Sequence, residues 1–169
     1  MGSALRPQVG GEGAESERRV EGEHGRVPEA EELRLFIDSG AFIAKAITND
    51  RYHGEAAETF ARISQRSLPY RLHYTSNYVV DEVATFILYE AGPRLAVDAL
   101  RRIRSSPSLR VLHVTEEVES LADVVFERFA SSRVSYTDCT TKVLMERESI
   151  DTAFTFDRDL EVLGFRRIP

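Results

Sequence analysis

The chain of 169 residues carries 28 acidic and 22 basic side chains, a formal net charge of -6, and a single cysteine. That balance excludes a protein that coats nucleic acid through general positive charge, and one cysteine, Cys139, excludes an internal disulfide or a paired-thiol metal site. No apolar run approaches the roughly 20 residues of a membrane span and no apolar leader follows the first charges, so a cytoplasmic protein with no membrane contact is expected.

Residues 1–32 are rich in Gly, Glu, Arg and Ser with almost no large apolar side chains. Such a stretch cannot bury enough surface to offset the entropy of ordering, and a disordered polar tail is expected there. Residues 33–169 remain, enough for one domain with one buried core. Leu35, Phe36 and Ile37 lack the polar alternation of a half-exposed strand and fit a central strand of a parallel sheet. The strand ends on Asp38, after which Ser39 and Gly40 supply turn chemistry and Ala41, Phe42, Ile43, Ala44 and Ile47 give an apolar helical face. Asp38 has two readings here, a helix cap or a working group beyond the carboxyl end of a strand.

The spacing of Ala56, Ala57, Phe60 and Ile63 predicts an amphipathic helix over 53–67, with His53 as a surface or capping group at its start. Leu68-Pro69 breaks it, and 72–75 reads as a second strand. Ser76 or Asn77 then caps a long helix carrying Val79, Val80, Val83, Phe86, Ile87 and Ala91, which stops at Gly92-Pro93. Asp81 and Glu82 lie in its first two turns, where acids also suit the helix dipole. A helix over 94–104 turns Leu95, Ala96, Ala99, Leu100 and Ile103 inward and Arg101, Arg102 and Arg104 outward, either as a solvated face or as phosphate contacts. A third strand is expected over 110–114. Thr115 opens a helix whose apolar face is Val118, Leu121, Ala122, Val125, Phe126 and Phe129. Ser135 stands three residues before Asp138 at the entrance of another helix. Residues 150–157 repeat the opening design, an apolar strand ending on an aspartate, with Asp159 in the turn before a short helix over 160–163 and a last edge strand over 164–169. The alternation predicts a three-layer α/β/α fold with a mostly parallel central sheet.

Each acid has an ordinary local explanation. Together, Asp38, Glu82, Asp138 and Asp157 fall at strand carboxyl ends or helix amino ends, the side on which such a sheet carries its site. Several carboxylates without His or Cys partners suit a hard cation such as Mg²⁺ or Mn²⁺. Helical pitch does not choose between Glu82 and Asp81, nor turn geometry between Asp157 and Asp159.

These stretches resemble the PIN domain, and within it the toxin-like ribonucleases of VapC type. Phe36-Ile37-Asp38-Ser39-Gly40-Ala41 is similar to the first motif, Thr75-Ser76-Asn77-Tyr78-Val79-Val80-Asp81-Glu82 to the second, Tyr136-Thr137-Asp138-Cys139 to the third and Thr155-Phe156-Asp157-Arg158-Asp159 to the fourth, over residues 33–169 and in the family's order. The resemblance implies a PIN-like nuclease domain. It assigns Asp38, Glu82, Asp138 and Asp157 to a metal-binding catalytic cluster of one or two Mg²⁺ or Mn²⁺ ions, with Ser39, Thr155 and Asp159 as orienting groups. Gly40 departs from the small hydroxyl often found there, and Leu160 from an aromatic. The implied reaction is hydrolysis of an RNA phosphodiester by metal-activated water, leaving a 5′-phosphate and a 3′-hydroxyl. The substrate would be single-stranded or looped RNA, since one small domain cannot reach a phosphate within a regular duplex. The implied partners are an antitoxin protein and a second copy in a homodimer.

Three other readings compete. An RNA-processing PIN nuclease outside any toxin pair would use the same residues. An Asp-based phosphotransfer domain wants either a second Asp where Gly40 stands or an acidic pair at its first strand end. A non-catalytic RNA-binding protein has no need of all four acids.

Overall fold

The structure, a computed structural model, describes residues 33–169. The expected polar tail, residues 1–32, lies outside the described residues. In chain order the elements are β1 (Leu33–Ile37), α1 (Ser39–Ala46), α2 (His53–Ser64), β2 (Tyr70–Ser76), α3 (Asn77–Ala91), α4 (Pro93–Ser105), β3 (Leu109–Leu112), α5 (Glu116–Arg128), α6 (Tyr136–Arg147), β4 (Thr152–Phe154), α7 (Asp159–Val162) and β5 (Arg166–Ile168). The strands form one sheet in the order β3-β2-β1-β4-β5, and every neighbouring pair is parallel. The sheet is thus wholly parallel rather than mostly so. Every connection passes through at least one helix, which is what parallel neighbours require.

The chain runs from β1 outward through β2 to β3, then returns to the other side of β1 for β4 and β5. The strand order therefore reverses between β1 and β4. In open parallel sheets the crevice beyond the strand carboxyl ends at such a reversal is where ligands bind.

Successive side chains of β1 point to opposite faces. Leu35 and Ile37, with Phe154, pack among Ala41 and Ala44 of α1 and Ala56 of α2. Phe36, Tyr74 and Ala153 belong to a larger cluster with Val79 and Val83 of α3, Val118 and Ala122 of α5 and Cys139 of α6. Both faces are covered, which accounts for the unbroken apolar run.

Ser76 caps α3 by accepting from the Val79 amide at 3.1 Å. Asn77 instead accepts from the amide of Val114 at 2.7 Å, and the third strand accordingly stops at Leu112, short of Val114. Gly92, at φ 92°, ends α3, and Pro93 begins α4. β4 starts at Thr152 rather than at Ile150, because the Ile150 amide closes the end of α6 on the Met145 carbonyl at 2.8 Å. Helix α2 is shorter than expected, β2 is longer, and α7 begins one residue early, at Asp159. The apolar faces of two helices are narrower than their spacing predicts: Leu121 and Phe126 of α5 and Phe86 and Ala91 of α3 are exposed. No helix of the described residues is long and apolar enough to cross a membrane.

Candidate active site

Asp38 occupies the N-cap position of α1, yet its side chain makes no capping hydrogen bond. Instead Asp38 Oδ2 accepts from Thr155 Oγ1 at 2.7 Å. Its backbone amide donates to the Phe154 carbonyl at 3.1 Å, so the end of β1 is tied to the end of β4 by backbone and side chain together. Asp38 is 7% exposed and Thr155 fully buried. Burial pushes the Asp38 carboxyl up to about 7, against the hydrogen bonds of Thr155 and the Ser39 amide, and Asp138 and Glu82 raise it further by like charge.

Thr155 bridges two acids. Its Oγ1 accepts from the Asp157 amide at 3.1 Å, so its one proton goes to Asp38. Asp157 Oδ1 in turn accepts from the amides of Arg158 at 2.6 Å and Asp159 at 3.3 Å, which makes it the pivot of the turn into α7. The capping box at α6 is present in full. Ser135 Oγ accepts from the Asp138 amide at 3.1 Å, and Asp138 Oδ2 accepts from the Ser135 amide at 3.0 Å. Asp138 is therefore a cap, as its ordinary reading had it, and a neighbour of the other acids as well. Its carboxyl is raised by burial, opposed by the two Ser135 hydrogen bonds, with Asp159 and Asp157 adding to the rise.

Glu82 stands on the exposed side of α3. Its carboxyl is also raised, first by partial burial, with the Ser39 hydroxyl opposing and Asp138, Asp157 and Asp81 adding like charge. Between the two adjacent acids of α3, Glu82 is the one that acts on Asp38. The Asp159 carboxyl is raised by burial and by Asp157. All four acids singled out by sequence thus belong to one electrostatic neighbourhood, with Ser39, Thr155 and Asp159 among them.

Among the described residues no three His, Cys, Asp or Glu side chains already enclose a point as ligands. Asp138 Oδ2 faces its own cap and Asp157 Oδ1 its own turn, so the carboxylates are neighbours rather than a closed set. The donor chemistry nonetheless fits a hard divalent ion. It consists of carboxylate oxygens in a partly buried cluster of acids at the strand reversal, with hydroxyls beside them.

Sequence reasoning missed the aromatic flank. Tyr52 stacks on Phe156 at 4.4 Å and 5°, and the Arg51 guanidinium lies 4.4 Å over the Tyr52 ring. Phe156 sits between Thr155 and Asp157, so this stack walls the turn that presents both. Only tertiary contact reveals it, since Tyr52 and Phe156 are far apart in the chain. His53 serves packing: its Nδ1 lies 2.8 Å from the Ala44 carbonyl and joins α2 to α1. A separate apolar cavity of about 490 Å³, lined by Phe42, Phe60, His73 and Leu95, contains one carboxylate, Asp98, already paired with Arg102.

Comparison with known proteins identifies the family and the fold. A sequence model of the PIN domain matches residues 35–166. The chain is 33% identical over 131 residues to the 23S rRNA-specific endonuclease VapC20 of Mycobacterium tuberculosis, covering 78% of this chain and 95% of that protein. The crystal structure of that VapC20, described as a sarcin-ricin loop cleaving toxin, superposes with a TM-score of 0.70 at 32% identity, over 78% of this chain and 95% of the other. The VapBC2 structure from Rickettsia felis (TM-score 0.57, 9% identity, 80% and 98% covered) and FitAcB from Neisseria gonorrhoeae (0.59, 13%, 80% and 96%) share the fold. The chain belongs to the PIN-domain family, in its VapC-like branch.

Proposed function

We propose that this protein is a metal-dependent endoribonuclease, the toxin of a toxin-antitoxin pair, and that its nuclease domain comprises residues 33–169. The observation that carries the reading is the Thr155 bridge. It anchors a buried Asp38 at the strand reversal, where burial and the like charge of neighbouring acids raise the proton affinity of Asp38, Glu82 and Asp138. A site that resists its own negative charge binds a divalent cation well, because the ion removes the repulsion. Asp38, Glu82, Asp138 and Asp157 would hold one or two Mg²⁺ or Mn²⁺ ions. When bound, such ions neutralise phosphate charge and lower the pKa of water.

The chain's own residues do the positioning. Thr155 holds the Asp38 carboxylate by one oxygen, Oδ2. The Ser135 bonds engage Asp138 through Oδ2 and leave Oδ1 unengaged, and the Asp157 turn holds its carboxylate on the amides of Arg158 and Asp159. The relative that shares a third of the sequence is named for 23S rRNA and for the sarcin-ricin loop, so looped ribosomal RNA is the first substrate to test. The acids reach a phosphate in a loop, where the strand is unpaired. Exposed Phe86 and Tyr89 of α3 and Leu121, Val124 and Phe126 of α5 support a homodimer, which sedimentation velocity of wild type and a Phe86→Ser/Phe126→Ser variant tests. The protein works in the cytoplasm, where its substrate is.

The decisive experiment is cleavage of an end-labelled RNA carrying a ribosomal loop, with Mn²⁺ and with EDTA. Cleavage in Mn²⁺ alone, giving 5′-phosphate ends, is expected. Equal cleavage in EDTA, or none in either, would overturn the reading.

A further inference from the structure

The sequence places Arg101, Arg102 and Arg104 on the outer side of α4, and the structure separates them. Arg102 is committed to Asp98 one turn back at 2.8 Å. Arg101 is exposed. Arg104 alone of the three lines a cavity of about 550 Å³ between α3 and α4. Glu82 lines the same cavity, as does Thr137, the residue before Asp138. The cavity is therefore continuous with the acidic neighbourhood.

Its walls follow from helix pitch. Val80 and Ala84 on α3 and Leu100 and Arg104 on α4 are spaced four apart, so each pair shares a face. These faces offer apolar surface beside one guanidinium that has no carboxylate within ion-pair distance among the described residues. Tyr78 adds an aromatic ring, its hydroxyl held by Glu119 of α5. A cavity of this volume suits a small ligand. A free phosphate is a poor occupant, since Asp81 and Glu82 line the cavity too and would repel it. An RNA strand separates the charges, with the cleaved phosphate on the cations that the acids would hold and the next phosphate on Arg104.

We propose that this cavity receives the nucleotide adjoining the cleaved phosphate of a single-stranded RNA, with Arg104 as a positioning residue paired to that nucleotide's phosphate. Arg presents a planar fork that matches phosphate oxygens, and the base or ribose lies on the apolar and aromatic walls. The inference rests on the ribonuclease reading and adds where the strand lies.

The test is the affinity of a fluorescein-labelled single-stranded RNA 12-mer, followed by anisotropy in Mn²⁺ across a salt series, in an Asp38→Asn background that keeps the probe uncut. Losing one charge-assisted contact weakens binding about tenfold, and the slope of log affinity on log salt falls by about 0.7. Arg104→Ala is expected to show both changes. Arg104→Lys should keep the slope, and Arg101→Ala should match the parent in both measurements. Melting curves serve as the folding control. Parent-like affinity and slope for Arg104→Ala, or equal losses in Arg101→Ala, would overturn the assignment. Cleavage by the chain with Asp38 intact is measured in parallel: its absence counts against the ribonuclease reading, while cleavage alongside unchanged Arg104→Ala binding overturns the cavity assignment alone.

Discussion

Thr155 has one hydroxyl proton, and its neighbours decide where that proton goes. The Asp157 amide donates to Oγ1 and Asp38 Oδ2 accepts from it, so replacing the hydroxyl by a methyl group strands a buried acceptor and a backbone donor. Thr155→Val should cost about 1–3 kcal/mol in urea melts and lower the cleavage rate, while Thr155→Ser should restore both. The same burial sets the behaviour of Asp38 with pH. Its carboxyl is raised from 3.8 to about 7 in the folded chain, so between those values the folded state binds the proton more tightly. Its contribution to stability is complete below about pH 4 and is lost as pH rises through about 7. Metal-free wild type should therefore weaken across that window, by at most about 4 kcal/mol from this one group. Asp38→Asn removes the titration and keeps the shape, so at pH 8 without metal it should melt at or above the wild-type temperature while cleaving RNA orders of magnitude more slowly. An active Asp38→Asn protein would refute the ligand role. A flat wild-type stability profile from pH 4 to 8 would refute the burial account.

At the scale of elements, the caps and breaks were legible because each rests on neighbours in the chain. The Ser135–Asp138 box, the Ser76 cap and the Gly92-Pro93 stop are local chemistry, and the structure contains all three. Strand order was not legible, since β4 adds to β1 across more than a hundred residues and no local signal records it. That pairing is what gives Asp38 its Thr155 partner, so the choice between cap and buried acid could not be made from the sequence. The exposed Leu121 and Phe126 were misplaced for a related reason: spacing defines a helix face but not how much of it the neighbours cover. Gly40 offers an element-level test. It lies in the first turn of α1, and an added Cβ would come no closer than 4.0 Å to the Phe156 amide nitrogen. Alanine there restricts the unfolded chain without a clash, so Gly40→Ala should raise stability by about 0.4–1 kcal/mol in denaturant melts, with cleavage unchanged. A loss of stability would mean that the turn between β1 and α1 needs glycine for its backbone.

For the whole molecule the question is how one domain tolerates four neighbouring acids, and the proposed divalent ion would supply the answer. Burial and mutual repulsion raise Asp38, Glu82 and Asp138, so the metal-free fold carries a cost that a bound ion would remove. A ligand specific to the folded state at 100 times its Kd stabilises by about 2.7 kcal/mol, which for a domain of this size raises the melting temperature by roughly 10 °C. Mn²⁺ should produce such a shift in the full chain. A chain beginning at Leu33 should show the same shift and the same cleavage rate if residues 1–32 form a separate polar tail, and aggregation or lost activity would assign that stretch to the core or the site. Replacing Asp38, Glu82, Asp138 and Asp157 together by Ala should abolish the shift. Because the unfolded chain also offers carboxylates to the ion, the comparison with this variant isolates the folded site from binding along the chain. An equal rise in both proteins would mean that Mn²⁺ acts elsewhere, and the acidic neighbourhood would then need another explanation.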